Sequence, residues 1–329
     1  MDNPTGPKKI LKSTHNKLFA SIPESIHNLQ AQIDEVRGAQ QELQAAQKNI
    51  LSKVQNSGYI RVSDTEIMTK IFSGAKMYVD PRDVGLVPHL ILDGEWEHDI
   101  TLAWLSVLKE NDVVLDIGAN FGYFGVLAAQ QTNRSCKAVL FEANPNLIPY
   151  LHKTMTVNSF GDCATIENSA VSDKQGRAKL NILKDYLASS SLHDAAALNE
   201  FNANGAELEV ETSVDVPATT VDIYCKENSI KAVNVIKMDI EGYEDKAYDG
   251  MRKTVKNSPD ITLFIEFTKQ AYAFPEKFYD LMLKDFGHVY QISREGRIVK
   301  PKKNDYESVI GSGKEWSMPV FSKKSDLAG

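Results

Sequence analysis

Long apolar runs are missing from this chain. No stretch approaches the roughly 18 to 20 consecutive apolar residues that a bilayer-spanning helix needs, so no membrane span is expected. The opening residues, Met1 to Lys12, are polar and basic without an apolar signal core, which argues against secretion. Cysteine is scarce. Cys136, Cys163 and Cys225 are too few for a disulfide framework and lack metal-ligand spacing; a reducing, cytoplasmic compartment suits them best. A surplus of positive charge is also absent. The net charge is -7 and the pI about 5.6. Most Lys and Arg are interspersed with acids, so no basic stripe for nucleic acid is present. The single basic cluster, Lys300, Lys302 and Lys303, reads as a solvated loop.

What is present describes a globular chain: 329 residues, 42% hydrophobic and 25% charged. That length accommodates one large α/β domain with an appendage, or two modest domains. Residues 1–20 read as a flexible leader. From Ile22 the apolar residues follow a seven-residue repeat: Ile22, Leu29, Val36, Leu43 and Ile50 share one seam position. Ile26, Ile33 and Val54 share the other, where Gln40 and Gln47 fill the gaps. Such a register winds helices into a left-handed supercoil, so residues 21–57 are expected to form a coiled-coil helix that makes the chain a homo-oligomer. The alternative is a long helix folded back on its own domain. Asn56, Ser57 and Gly58 break the repeat and mark the boundary, leaving 58–329 as the second domain.

That second part alternates short apolar strands with helices, the pattern of a mostly parallel sheet covered on both faces. Strands are expected at Thr65 to Ile71, Lys76 to Val79, Val113 to Ile117, Ala138 to Phe141 and Ala164 to Ile166. Others fall around Val233 to Met238, Ile261 to Phe267 and His288 to Ile292, with helices over Ile100 to Lys109, up to Gln131, and after Pro145. Two β-rich segments, Ala178 to Leu183 and Glu207 to Val214, interrupt the alternation and read as a hairpin-like insertion near the site.

The informative turn follows Val113 to Ile117. There Asp116 precedes Gly118, Ala119, Asn120, Phe121 and Gly122, small residues that let backbone pass close to a ligand at the carboxyl end of a strand. A pyrophosphate site wants three glycines as G-x-G-x-x-G; here Ala119 stands at the middle one, and Asp116 would repel a phosphate. A carboxylate suits a ligand bearing an ammonium and a sulfonium, which favours S-adenosylmethionine over NAD. Glu142 ends the next strand, where an acid can accept two ribose hydroxyls as charge-assisted bonds. Adenine is expected farther along the same edge, near Asn168, Ser169 and Ala170.

These strings, in this order, resemble the FkbM-type methyltransferases over about Gly58 to Phe321. Gly94-Glu95-Trp96-Glu97 is similar to the motif ahead of the family's first core helix, and the run from Asp116 to Phe124 to its cofactor loop. Phe141-Glu142-Ala143-Asn144-Pro145 resembles its second motif, with Ala143 where proline is commoner; the run from Asn168 to Asp173 resembles its third. The stretch from Val235 to Glu244, with Lys237, Asp239 and Glu241, matches its most specific signature, and Ile265-Glu266-Phe267 the last. The resemblance implies a Rossmann-like class I methyltransferase fold and an S-adenosylmethionine-dependent O-methyltransferase acting on a hydroxyl of a sugar or glycan. Glu97, Asp116, Gly118, Asn120, Gly122, Glu142, Ser169 and Ala170 would then hold the cofactor. The heptad segment lies outside the shared region.

A neutral hydroxyl is a poor nucleophile, so a base beside it aids methyl transfer. Alternation along the strand puts Lys237, Asp239 and Glu241 on one side, making Asp239 the leading contact for the acceptor hydroxyl. Glu266 and His193 are the other catalytic candidates. Ser190, Ser191, Lys237 and Glu241 are candidate acceptor contacts, although the serines also suit the start of a helix through Leu198. No spacing among the acids fixes a coordination geometry, so no metal is assigned. Rival readings remain: a lipid or secondary-metabolite hydroxyl as acceptor, or a cofactor-binding scaffold that recruits glycan-assembly partners through the coiled coil.

Overall fold

The computed structural model describes residues 30, 32–38, 40, 58–194, 196–197, 199, 208–311 and 316–327. The chain divides into two compact units, residues 1–55 and 56–329. In the first, the described residues are helical, and the seam residues Ile33 and Val36 are exposed. The rest of the expected coiled-coil seam, and the proposed leader, lie outside the described residues.

The second unit opens with a small antiparallel sheet of β1 (Tyr59–Arg61), β2 (Ile67–Lys70) and β3 (Lys76–Val79). Helices α1 (Val87–Leu92) and α2 (His98–Val107) follow, then the core alternation. It runs β4 (Val113–Ile117), α3 (Tyr123–Gln131), β5 (Lys137–Phe141), α4 (Ile148–Val157) and β6 (Ala164–Glu167). A side sheet of β7 (Ala170–Val171), β8 (Gly176–Leu183) and β9 (Val210–Thr219) comes next. After it the core resumes with α5 (Val221–Glu227), β10 (Val235–Met238), α6 (Glu244–Asp249), α7 (Arg252–Asn257) and β11 (Thr262–Ile265). The chain finishes with α8 (Pro275–Phe286), β12 (His288–Ile292), β13 (Ile298–Val299), α9 (Tyr306–Ile310) and β14 (Val320–Ser322).

The main sheet has the order β13-β12-β14-β11-β10-β4-β5-β6. Strands β6, β5, β4, β10 and β11 are mutually parallel. β14 lies antiparallel between β11 and β12. This is a Rossmann-like sheet, and successive residues along its strands divide between two cores. Val114, Leu140, Val235 and Phe264 pack with α2, α3 and α4 on one face. Leu115, Val139, Ile236 and Leu263 pack with α5, α6, α7 and α8 on the other. Continuous apolar strands were the signal for that double cover. Trp104 anchors the first face, fully buried and edge-on to Phe124 and Phe264.

Topology also locates a crevice. From central β4 the chain winds outward through β5 and β6, then returns to build β10 and β11 on the opposite side. Ligands of open α/β sheets bind where strand order reverses, outside the carboxyl ends. Here that point lies between β4 and β10. The β-rich insertion is a true hairpin, β8 pairing antiparallel with β9 along almost its whole length, but it belongs to a separate sheet with β7. The expected helix start at the serines gives way to a short 3-10 turn over Leu187–Ser189 and a bridge from Ser191 to Asn181. Among the described residues, no helix is long and apolar enough to cross a membrane.

Candidate functional site

A crevice enclosing about 510 Å³, its open mouth included, sits at that switch point. Its walls come from the ends of β4 (Ile117, Gly118) and β5 (Glu142, Ala143), from Ser169 after β6 and Ala170 of β7, and from the loop after β10 (Asp239, Glu241, Tyr243). Ala188, Ser190 and Leu192 close the top. Segment 187–193 is held there by several bonds. Asn144 donates to Leu187 O at 3.3 Å and to Ser190 Oγ at 3.0 Å. Ser191 Oγ donates to Glu241 O at 3.0 Å.

The floor is the turn after β4. Gly118 has φ 83°, and a Cβ there would lie 1.9 Å from the Asp239 carbonyl oxygen, so only glycine lets the two strand ends approach. The turn spends its own amides. Gly118 and Ala119 N–H groups both donate to Phe141 O, at 3.0 and 2.9 Å. Asn120 N–H donates to Glu142 Oε2 at 2.7 Å, Phe121 N–H to Asn120 Oδ1 at 2.7 Å, and Gly122 N–H to Ala119 O at 2.7 Å. Asp116, 2% exposed, takes a bond from the Gly125 amide in the first turn of α3. Its carboxylate therefore sits at the helix N-terminus, the place where a phosphate would bind. No amide of this turn is left to cradle a pyrophosphate.

Asp116 thus differs in position from the expectation. It does not reach the crevice wall; it lies beneath α3, in register with Lys237 of β10. Lys237 is buried, with Nζ 2.7 Å from Asp239 Oδ2 and 4.5 Å from the centre of the Phe124 ring. Burial opposes the lysine charge, yet Asp239, Glu97 and Asp116 outweigh it and hold the pKa above the ordinary lysine value. Lys237 is therefore the counter-ion of the acids, not a wall of the crevice. Asn120, with φ 55°, and Gly122, with φ 90°, shape the turn rather than line the cavity.

Glu142 does line it. Oε2 takes the Asn120 amide and Oε1 the Asn144 amide, both at 2.7 Å, which fixes the carboxylate while leaving it acceptor capacity for a ligand. Ser169 is 3% exposed and its Oγ has no partner, so its hydroxyl is open to a bound group beside Ala170. Among the lining residues the charged ones are Glu142, Asp239 and Glu241. The crevice is acidic.

More acids stand behind Asp239. Glu97, in a left-handed backbone conformation at the start of α2, and Glu266, just past β11, each keep a carboxylate oxygen without a partner. Glu244 accepts Ile240 N–H at 2.9 Å and the Tyr272 hydroxyl at 2.7 Å. Burial, then mutual repulsion, pushes these carboxyls up: Glu97 to about 7, Glu241 to about 8, Glu244 to about 7, and Glu266 well above its usual value. Burial alone leads the rise of Asp116 to about 6 and Glu142 to about 7. His193 lies outside the crevice wall. Its Nε2 is 3.0 Å from Gly242 O, and a carbonyl only accepts, so this nitrogen carries a proton and braces the loop. Among the described residues, no group of three or more His, Cys, Asp or Glu side chains could hold a metal ion.

Stability should follow from these shifts. Between about pH 4.5 and 8 the folded chain holds protons on these carboxyls that the unfolded chain has released. Their stabilising contribution is complete below the ordinary carboxyl range and is lost as pH rises through the folded values. The Tm of ligand-free protein is therefore expected to fall from pH 5 to pH 8, as read by calorimetric scans. A Tm rising over that range would show that other groups govern the balance.

Residues 116–298, more than half of the chain, match the methyltransferase FkbM domain family. The chain is 27% identical over 183 residues to the 31-O-demethyl-FK506 methyltransferase FkbM of Streptomyces tacrolimicus, covering 47% of this chain and 68% of that protein. It is 25% identical over 168 residues to the hexuronic acid methyltransferase AglP of Haloferax volcanii, covering 51% of this chain and 61% of that protein. Among solved structures, P. horikoshii TYW2 in complex with MeSAdo gives a TM-score of 0.41 at 11% identity over 84% of each chain.

Proposed function

The chain belongs to the FkbM methyltransferase domain family, and from that premise we propose that it moves a methyl group from S-adenosylmethionine to a hydroxyl of a sugar or glycan. The observation that carries the cofactor assignment is the crevice itself. Its wall carries three carboxyls and no basic side chain, and the amides of residues 118–122 are all spent within the protein. That combination offers a cationic ligand an acceptor-rich wall and gives a pyrophosphate neither a cation nor an amide of that turn. Glu142 would accept the ribose hydroxyls, Ser169 would meet the adenine, and Asp239 with Glu241 would face the amino-acid end and the acceptor. When bound, the cofactor supplies an electrophilic methyl on a sulfonium.

The rest falls to the chain's own residues. Asp239 is fixed through Oδ2 by Lys237, leaving Oδ1 to accept a proton from the acceptor hydroxyl. Its side chain is 23% exposed, so the acceptor can reach it. Tyr243 and Leu192 narrow the approach, which helps align the hydroxyl with the methyl carbon. The sugar preference is supported by the name of the archaeal relative, and the macrolide relative keeps a secondary-metabolite hydroxyl as the second reading. Residues 21–57 we propose as an oligomerisation helix, on the strength of their heptad seam.

The test is a transfer assay with methyl-labelled S-adenosylmethionine and a panel of sugars and polyketide alcohols. Label should appear as an O-methyl ether on a sugar, identified by mass and by NMR. Label on nitrogen, or on a polyketide alcohol alone, would overturn the sugar-hydroxyl reading.

A further inference from the structure

A second groove of about 470 Å³ opens at the same carboxyl edge of the sheet, beyond β11. Asp99 and Ile100 of α2, Ile292 at the end of β12, and Trp316, Ser317 and Met318 ahead of β14 line it. Because β14 runs antiparallel to β11 and β12, the residues leading into it lie at the carboxyl end of its neighbours. Strand order therefore places the cofactor crevice over β6, β5, β4 and β10 on one side and this groove over β14 and β12 on the other. Asp239 and Glu266, at the ends of β10 and β11, stand between. Protein backbone and charge link the two regions: Phe267 N–H donates to Ser317 O at 2.8 Å, next to Glu266, and Asp99 lies close enough to Glu97 to raise its pKa.

We infer that this groove is a second acceptor subsite, which takes a neutral or amine-bearing sugar ring of an oligosaccharide stacked on Trp316. The inference rests on the sugar-hydroxyl reading above and names the class of sugar. Trp316 is 47% exposed, whereas Trp104 is 0% exposed; an indole left open beside a groove offers the flat, electron-rich face that the C–H side of a pyranose covers. Ser317 Oγ is buried without a partner, and Asp99 provides carboxylate acceptors at the rim. Charge selects among sugars. The Asp99 carboxylate at the rim disfavours a uronate and tolerates a hydroxyl or an ammonium.

Full-length protein saturated with S-adenosylhomocysteine would be titrated with cellotetraose, a glucosamine tetramer and tetragalacturonate, by calorimetry and by tryptophan fluorescence. The neutral or the amine-bearing tetramer should bind at least about tenfold more tightly than tetragalacturonate. Trp316→Ala should weaken that binding about tenfold or more and leave the S-adenosylhomocysteine Kd unchanged, while Trp316→Phe keeps most of it. The inference is overturned by equal or tighter binding of tetragalacturonate, by no binding of the other two, or by wild-type affinity in Trp316→Ala. Failure of S-adenosylhomocysteine to bind would instead remove the methyl-transfer reading, and the same titrations on unsaturated protein would still decide the groove.

Discussion

Asp239→Asn is expected to lower kcat by about 10²- to 10⁴-fold, the usual contribution of a positioned general base, with S-adenosylhomocysteine affinity within a few fold of wild type. Asparagine keeps the shape and the contact with Lys237 Nζ, now 2.7 Å from Oδ2, but cannot take a proton. Lys237 would retain Glu97 and Asp116 as counter-charges, so the fold should survive, which a thermal scan checks. The variant also separates an enzyme from a scaffold that only binds cofactor: a scaffold keeps its biological role without Asp239. Undiminished turnover would reduce Asp239 to a structural partner of Lys237 and move the search for the base to Glu266, whose carboxylate keeps an oxygen without a partner.

Gly118→Ala should be the most disruptive Gly→Ala change among the described glycines. The φ of 83° is itself strained for alanine, by about 1 to 3 kcal/mol. The added Cβ would also lie 1.9 Å from Asp239 O and 2.9 Å from Asp239 C, backbone atoms that cannot rotate away. Relief requires β4 and β10 to separate at the mouth of the crevice. A Tm several degrees lower and loss of measurable S-adenosylhomocysteine binding are expected. Gly161→Ala is the control, since nothing lies within 4 Å of its added Cβ and no positive φ constrains it. Equal behaviour of the two variants would mean that the close approach at Gly118 is not what shapes the site.

Much of this arrangement is legible in the chain. Val113–Ile117 and His288–Ile292 form strands with the bounds that their apolar runs suggest, because a buried strand is marked by composition and by flanking turns. Glu142 reads as a candidate ligand of the crevice because it ends the strand one βαβ unit after the Asp116 turn; a strand-end acid by itself would suit the surface equally well. Asp116 is harder. A carboxylate at a strand end looks exposed, yet it shares a face with Val114 and takes the amide of Gly125. The same period of two that placed Lys237 beside Asp239 could have placed Asp116 under α3. β14 escapes sequence reading because three residues give no period, and its place between β11 and β12 is set by the sheet.

Asn144, Leu192 and Tyr243 escape for another reason. Their roles exist only once segment 187–193 folds over the crevice, some 45 residues from Asn144 and about 50 from Tyr243 in sequence, and local pattern carries no trace of such contacts. His193 is a candidate by its chemistry alone, and geometry gives it a bracing contact with the Gly242 carbonyl. Trp316 stood in a stretch without a motif, and only its exposure beside a groove makes it notable.

S-adenosylmethionine is the ligand proposed for the carboxyl-lined crevice between β4 and β10. The most direct measurement is calorimetric titration of the whole protein with S-adenosylhomocysteine and, separately, with NAD. Micromolar binding of the first at one site per chain is expected, with no detectable binding of the second. Binding of NAD, or no binding of S-adenosylhomocysteine, would contradict that assignment.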